Sequence, residues 1–209
     1  MIGIINCDLD QSEQTNGAHI LQRLIPNSKI IDVVHGEQID VSYDKYIITG
    51  SKASITDSYE WIQNVQDFID YAYENNLFCL GICFGMQIMA HRLGGSVLIN
   101  KVNQQGFIQI QISEVELFDN LPRELAVFAY HNDIVSTIPT QARVLARNQT
   151  CIQAFQLNNL YCVQFHPEIT YVEAHAMITR DKKSSQLLSS VSEGYALPVK
   201  IIENFLNIK

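Results

Sequence analysis

The sequence predicts an α/β fold: a doubly wound, mostly parallel sheet flanked by helices, with an additional antiparallel section in the second half. Three observations predict it. Short apolar runs rich in branched residues recur up to residue 82, as in strands buried on both faces. A stretch with helical periodicity separates two of them. Beyond residue 100 the apolar period shortens to two, the signature of half-buried strands.

The runs IGIIN (2–6), KIIDVV (29–34), KYIIT (45–49) and LFCLGI (77–82) are the expected parallel strands. Between the last two, EWIQNVQDFIDYAYENN sets Ile62, Val65, Phe68, Ile69 and Ala72 at helical spacing, as in a crossover helix with one face on the sheet. A second helix is expected from Gly85 to Leu93, stopped by Gly94 and Gly95. FIQIQIS then alternates Ile108, Ile110 and Ile112 with Gln109 and Gln111. Further strands are expected in AVFAY, ARVLAR, CIQAFQL and YCVQF. The run PVKIIENFLNIK reads as a helix with Pro198 at its first position and Ile201, Ile202, Phe205 and Ile208 on one face. The polar patch DKKSSQLLSSVSEG reads as a surface loop or frayed helix.

With 209 residues, 47% of them hydrophobic, the chain can bury a sizeable core, and no Pro/Gly/Ser-rich linker divides it, so residues 1–209 are expected to form one domain. A net charge of −8 from 14 scattered basic residues against 22 acidic ones argues against nucleic acid or an anionic membrane as partner, and for a small molecule or a protein. The start, MIGIINCDLD, lacks the basic and long apolar regions of a signal peptide, and no apolar run approaches the roughly 20 residues of a membrane span, so a cytoplasmic location is expected. The five cysteines are odd in number and mostly sit in apolar runs, which fits reduced thiols better than a disulfide framework.

One of those cysteines stands apart. In LGICFGMQ (80–87), Cys83 lies between Gly81 and Gly85, at the end of an expected strand and the start of an expected helix. G-x-C-x-G is the thiol version of the strained strand-to-helix turn that holds a nucleophile clear of its backbone, and a helix N-terminus favours a thiolate. The alternative is a packed thiol whose glycines serve close contacts between helix and strand.

A nucleophilic thiol needs a base, and the base needs a group that orients it. His19, His91 and His175 read as solvated or core-edge helix positions, and His35 sits in a turn-like HGE. His131 in AYHND and His166 in YCVQFHPE each follow an expected strand, where active-site loops begin. Glu168 lies two residues beyond His166, and Pro167 keeps the His166 backbone extended. A carboxylate there can accept from one imidazole nitrogen while the other faces the thiol. H-x-E also opens a zinc deaminase signature, but no cysteine follows Cys162, so no metal is expected. TGSKAS (49–54) is not a phosphate-binding G-x-x-x-x-G-K-[ST] loop, and its backbone N–H groups suit an oxyanion better.

Taken together, YDKYIITGSKAS, LGICFGMQIMAHRLGG, YHND and VQFHPE, in that order and spacing, resemble the class I glutamine amidotransferase domain, over about residues 2–168. TGSKASITDSYEWI is most similar to stand-alone proteins related to the glutaminase half of GMP synthase, a group that also resembles γ-glutamyl peptidases. The resemblance implies a flavodoxin-like α/β fold, Cys83 as nucleophile, His166 as general base and then acid, and Glu168 as the group that orients His166. It places backbone N–H groups of Ser51 and Phe84 in the oxyanion hole, and Gly50, Gln87, His131, Asn132 and Asp133 in the substrate pocket. The implied reaction is attack on the side-chain amide of glutamine or a γ-glutamyl compound, release of ammonia or an amine, and hydrolysis of a γ-glutamyl thioester. It implies no cofactor. A separate synthase subunit is an expected partner if the ammonia is passed on, because the sequence holds no nucleotide-binding unit. The segment NQQGF lacks the Gly-Trp or the acidic and aromatic pair usual in the relatives. A stand-alone γ-glutamyl hydrolase or peptidase, and a non-catalytic regulatory or binding protein on the same fold, are the alternatives.

Overall fold

The computed structural model describes residues 1–192 and 195–209. The first half runs β1 (Ile2–Ile5), α1 (Gly17–Leu24), β2 (Ser28–Ile31), β3 (Lys45–Ile48), α2 (Glu60–Glu74), β4 (Phe78–Ile82) and α3 (Phe84–Arg92). The second runs β5 (Ser96–Leu98), β6 (Gln104–Ile112), β7 (Glu124–His131), β8 (Ile134–Thr137), β9 (Arg143–Arg147), β10 (Ile152–Leu157), β11 (Leu160–Val163), α4 (Tyr171–Arg180) and α5 (Val199–Asn207).

Nine strands form one sheet in the order β2-β1-β3-β4-β11-β10-β9-β6-β7. The pairs from β2 through β11 are parallel, and those from β11 out to β7 are antiparallel. β11 is therefore the seam: its chain neighbour β10 lies on one side and β4, from far earlier in the sequence, on the other. β5 and β8 make a separate two-stranded ribbon.

Burial follows the sequence pattern. In β3 and β4 every residue after the first is buried, and β11 is buried throughout, as strands covered on both faces require. The α2 residues Ile62, Val65, Phe68, Ile69 and Ala72 are all buried, in one apolar cluster with Tyr46 and Cys79. The cluster on the other face gathers α1, α5 and the antiparallel strands. Asn16 caps α1, its side chain accepting from the N–H groups of Ala18 and His19. The far end of α5 is held from the sheet, where Lys45 Nζ donates to the carbonyls of Phe205 (2.8 Å), Leu206 (3.0 Å) and Ile208 (2.5 Å).

Four segments differ from expectation. The KIIDVV strand stops at Ile31, because Val33–His35 turns in a 3-10 helix closed by Gly36 at φ 87, a conformation open to glycine. α3 starts and ends one residue earlier than expected, so Cys83 is its N-cap. Pro198 has helical dihedrals but precedes the first helical residue of α5. The polar patch contains a 3-10 turn, Ser185–Leu188, packed so tightly on β6 that a Cβ on Gly106 would lie 2.4 Å from the Leu187 carbonyl oxygen; its residues 193 and 194 lie outside the described residues. Among the described residues no helix is long and apolar enough to cross a membrane.

Candidate active site

The parallel strands deliver their carboxyl ends to one edge of the sheet, where ligands gather in open α/β folds. Gly50 follows β3, Cys83 follows β4, and His166 and Glu168 follow β11. Cys83 has φ 52 and ψ −102, dihedrals costly for a residue with a side chain. Its N–H is fixed by the Val163 carbonyl at 2.8 Å, tying the turn to the seam strand. The glycines on either side make this possible. A Cβ on Gly81 would lie 2.7 Å from the Gly85 carbonyl, and one on Gly85 would lie 2.5 Å from the Ile48 carbonyl oxygen. The close strand and helix contacts are what hold the thiol in its strained turn. Phe84 opens α3, and the first N–H groups of a helix have no partner within it.

His166 Nδ1 donates to Glu168 Oε1 at 2.8 Å, and the Glu168 side chain is 1% exposed. The ring is fixed by its backbone as well, since the His166 N–H donates to the Phe128 carbonyl of β7 at 2.8 Å. Burial alone would push the His166 pKa down. The Glu168 carboxylate and the facing Cys83 sulfur overcome that and raise it well above the ordinary histidine value. Gly50 closes the group: a Cβ there would lie 2.8 Å from His166 Cε1 and 3.5 Å from Cys83 Cβ. Any larger residue would push into the space between thiol and ring.

Gly50, Cys83 and His166 line a cleft of about 490 Å³ together with Ser51, Gln87, His131, Asn132 and Asp133, and Glu168 is buried behind His166. His131 is the last residue of β7 and is buried. Burial pushes its pKa down to about 4; a hydrogen bond to the Asp133 carbonyl opposes this, and the neighbouring His166 charge adds to it. A neutral His131 therefore donates from Nδ1 to that carbonyl, at 3.1 Å. Gln87 Nε2 donates to the same carbonyl at 3.1 Å. The Asp133 carboxylate braces two loops, accepting from the Asn100 N–H at 2.7 Å and from Ser54 Oγ at 3.2 Å. Ser51 Oγ accepts from the Ala53 N–H at 3.0 Å, which orders the turn behind Gly50. The other histidines lie outside the cleft lining: His35 pairs with Asp32, and His175 stacks on Tyr171.

The sequence reading missed part of the wall. Asp8, three residues beyond β1, lines the cleft with Oδ2 accepting from the Gly17 N–H and Oδ1 from the Asp10 N–H, both at 3.0 Å. Burial raises its pKa against those two hydrogen bonds. The β1 carboxyl end was the signal available for it. At the mouth Arg180 joins Asp10, Thr15 Oγ1 (2.9 Å) and Asp181 Oδ1 (2.7 Å), and Tyr130 Oη donates to Asp181 Oδ2 at 2.5 Å. Arg180 thereby holds the Asp181 carboxyl well below the usual range. No local motif marks these residues, which meet only when α4 folds back over the loop after β1.

A strained cysteine at a helix N-terminus thus faces a histidine–glutamate pair at the carboxyl ends of the parallel strands, a candidate active site on an α/β sheet. Residues 8–183 match the family described as Glutamine amidotransferase class-I. The chain belongs to the class I glutamine amidotransferase family, and it is an enzyme of that class. A glutamine-hydrolyzing GMP synthase subunit of Pyrococcus furiosus is 32% identical over 163 residues, which are 76% of this chain and 82% of the relative. The corresponding subunit of Pyrococcus abyssi is 38% identical over 122 residues, 56% and 65% of the two chains. Against the GMP synthase of Aliivibrio fischeri the identity is 32% over 146 residues, and the match spans 27% of that longer protein. Among solved structures, a glutamine amidotransferase from Thermotoga maritima superposes with a TM-score of 0.82 at 20% identity, over 99% of this chain and 96% of that one. A protein from Thermoplasma acidophilum described as a GMP synthase subunit gives 0.70 at 23%, over 99% and 92%. At those identities the likeness shows the fold.

Proposed function

We propose that the chain hydrolyses the side-chain amide of glutamine, or a γ-glutamyl amide, through a γ-glutamyl thioester on Cys83. The observation that carries this is the meeting of Cys83 and His166 in one cleft, with Glu168 buried behind His166 and bonded to its ring, and with the thiol held on a strained backbone at a helix N-terminus. The Cys83 proton passes to His166, which Glu168 keeps oriented and stabilised as it becomes charged. The thiolate attacks the amide carbon, and backbone N–H groups of Ser51 and Phe84 take up the charge on oxygen. His166 then protonates the departing nitrogen, and ammonia or an amine leaves. Water, activated by the same ring, cleaves the thioester and releases glutamate. Gly50, Gln87, His131, Asn132 and Asp133 shape the pocket for the γ-glutamyl group.

The names of the relatives favour use of the ammonia by a separate synthase subunit. The second reading is a self-sufficient γ-glutamyl hydrolase, favoured by Cys83, His166 and Glu168 meeting within one chain. Ammonia and glutamate release is assayed with the purified chain on glutamine, γ-glutamyl peptides and γ-glutamyl conjugates, without and then with a cell extract. Turnover by the chain alone supports the hydrolase; turnover only with extract supports the synthase-coupled reading. Absence of both, with Cys83 inert to a glutamine-like diazo ketone, removes the proposal.

A further inference from the structure

Five polar side chains close a ring behind the cleft wall. His131 and Gln87 meet at the Asp133 carbonyl, each at 3.1 Å. Gln87 Nε2 also approaches Gln164 Oε1 at 3.4 Å. Gln164 and Gln153 are cross-strand neighbours: the β10–β11 register pairs Ala154 with Val163, and the Gln164 N–H donates to the Gln153 carbonyl at 2.8 Å, so their side chains share one face. Gln153 Nε2 donates to Gln104 Oε1 at 3.1 Å, and the register pairs Gln104 with His131, which completes the circuit.

Gln153 and Gln164 are 0% exposed, Gln87 4% and His131 6%. Among the described residues, three atoms of this ring are buried without a partner: His131 Nε2, Gln153 Oε1 and Gln164 Nε2. An orphaned buried polar atom costs about 1–3 kcal/mol, and native proteins seldom keep several together. In donor and acceptor character the three suit one small molecule. Nε2 of a ring that donates from Nδ1 is an acceptor, Gln153 Oε1 is an acceptor, and Gln164 Nε2 has a hydrogen to give. A water molecule donates twice and accepts once in that setting, the three bonds typical of buried water.

We propose that this ring binds one buried water molecule, and that the water holds Gln87 and His131 in the arrangement with which the cleft wall meets its substrate. The second half rests on the glutamine reading above; the first does not. Gln164 is then a positioning residue, acting through Gln87 and His131 without touching the substrate.

A crystal structure fine enough to resolve solvent tests the first half. Density is expected within hydrogen-bond distance of all three atoms, and direct pairing of the three with no density would overturn the site. Side-chain 15N NMR tests it independently: His131 should be the Nδ1–H tautomer with Nε2 accepting, and an Nε2–H tautomer would also overturn it. For the second half, Gln164→Met is expected to raise KM for glutamine about tenfold, the size of one lost hydrogen bond, with kcat held within about twofold. Alkylation of Cys83 by iodoacetamide, which needs no substrate pocket, should be unchanged. Gln153→Met serves the same purpose if the first variant fails to fold. Unchanged KM in a folded variant would overturn the positioning role and leave the water site standing. If the wild type turns over no glutamine compound, the functional reading fails, while crystal and NMR still decide the water.

Discussion

The two halves of the sheet contribute to the cleft in different ways. The parallel half delivers its groups from strand ends: Gly50, Cys83 and His166, and Glu168 behind His166, each follow a buried parallel strand within a few residues. The antiparallel half contributes from within its strands and by pairing them, as His131 at the end of β7 lies opposite Gln104 of β6, and Gln153 of β10 opposite Gln164. One half places the thiol and the imidazole by backbone geometry; the other holds a polar wall by register. Substitutions in the first should strike turnover, and substitutions in the second should strike binding and acid stability.

The largest effect separates the halves at the nucleophile. Cys83→Ala and His166→Ala should each lower turnover on the order of a thousandfold or more, since groups that act as a unit fail together. A glutamine-like diazo ketone should add to Cys83 and, by peptide mapping, leave Cys7 and Cys79 unmodified. Burial pushes both of those thiols far up, which keeps them protonated and inert. An adduct on either would break the comparison at its root.

Next is Glu168→Gln, with an expected loss of about a hundredfold to a thousandfold, because the amide keeps a hydrogen bond to the ring and loses the charge. It also carries a signature that simple damage would not. Glu168 helps raise the His166 pKa, so His166 in the variant should titrate at lower pH by NMR. A His166 titration that stayed in place would remove Glu168 from its proposed role.

Gly50→Ala comes third. The added Cβ would meet His166 Cε1 at 2.8 Å, and displacing a reacting group by a fraction of an ångström to one ångström costs up to about a hundredfold. Steady-state rates beside a melting curve check it, with kcat expected to fall more than stability. A variant of full activity would show that the thiol and ring have room to spare.

The same contrast governs what could be read before folding. β1, β3 and β4 were legible because burial on both faces writes an unbroken apolar run, and the Cys83 turn because its two glycines, dictated by close contacts inside the β4–α3 junction and with Ile48 of the neighbouring strand, stand beside it in the sequence. The alternation over Ile108 to Ile112 revealed a strand, but the order β10-β9-β6-β7 did not follow from it, since any half-buried strand can pair with any other. Gln153 and Gln164 looked like ordinary polar residues for this reason; only the register brings them together. Arg180 and Asp10, 170 positions apart, were illegible on the same ground.

The smallest effect tests the antiparallel wall through acid stability. His131 has its pKa lowered from 6.5 to about 4 by burial, so the unfolded chain binds a proton between those values that the folded chain refuses. Stability from this group is full above pH 6.5 and is lost as pH falls toward 4, with a loss of about 2 kcal/mol between pH 7 and pH 5. His166 runs the other way. Its raised pKa contributes stability below the ordinary histidine range, which disappears as pH rises through the folded value. Asp8, also raised, favours the folded state in acid. The net curve mixes all three, so the measurement is a difference: urea unfolding of wild type and His131→Gln at pH 7 and at pH 5. The variant should be less stable at pH 7, and the gap should narrow by about 2 kcal/mol at pH 5, because the glutamine has no proton to refuse. A gap that stays constant would mean that His131 is protonated in the folded state. The wall would then present a donor where its geometry now presents an acceptor.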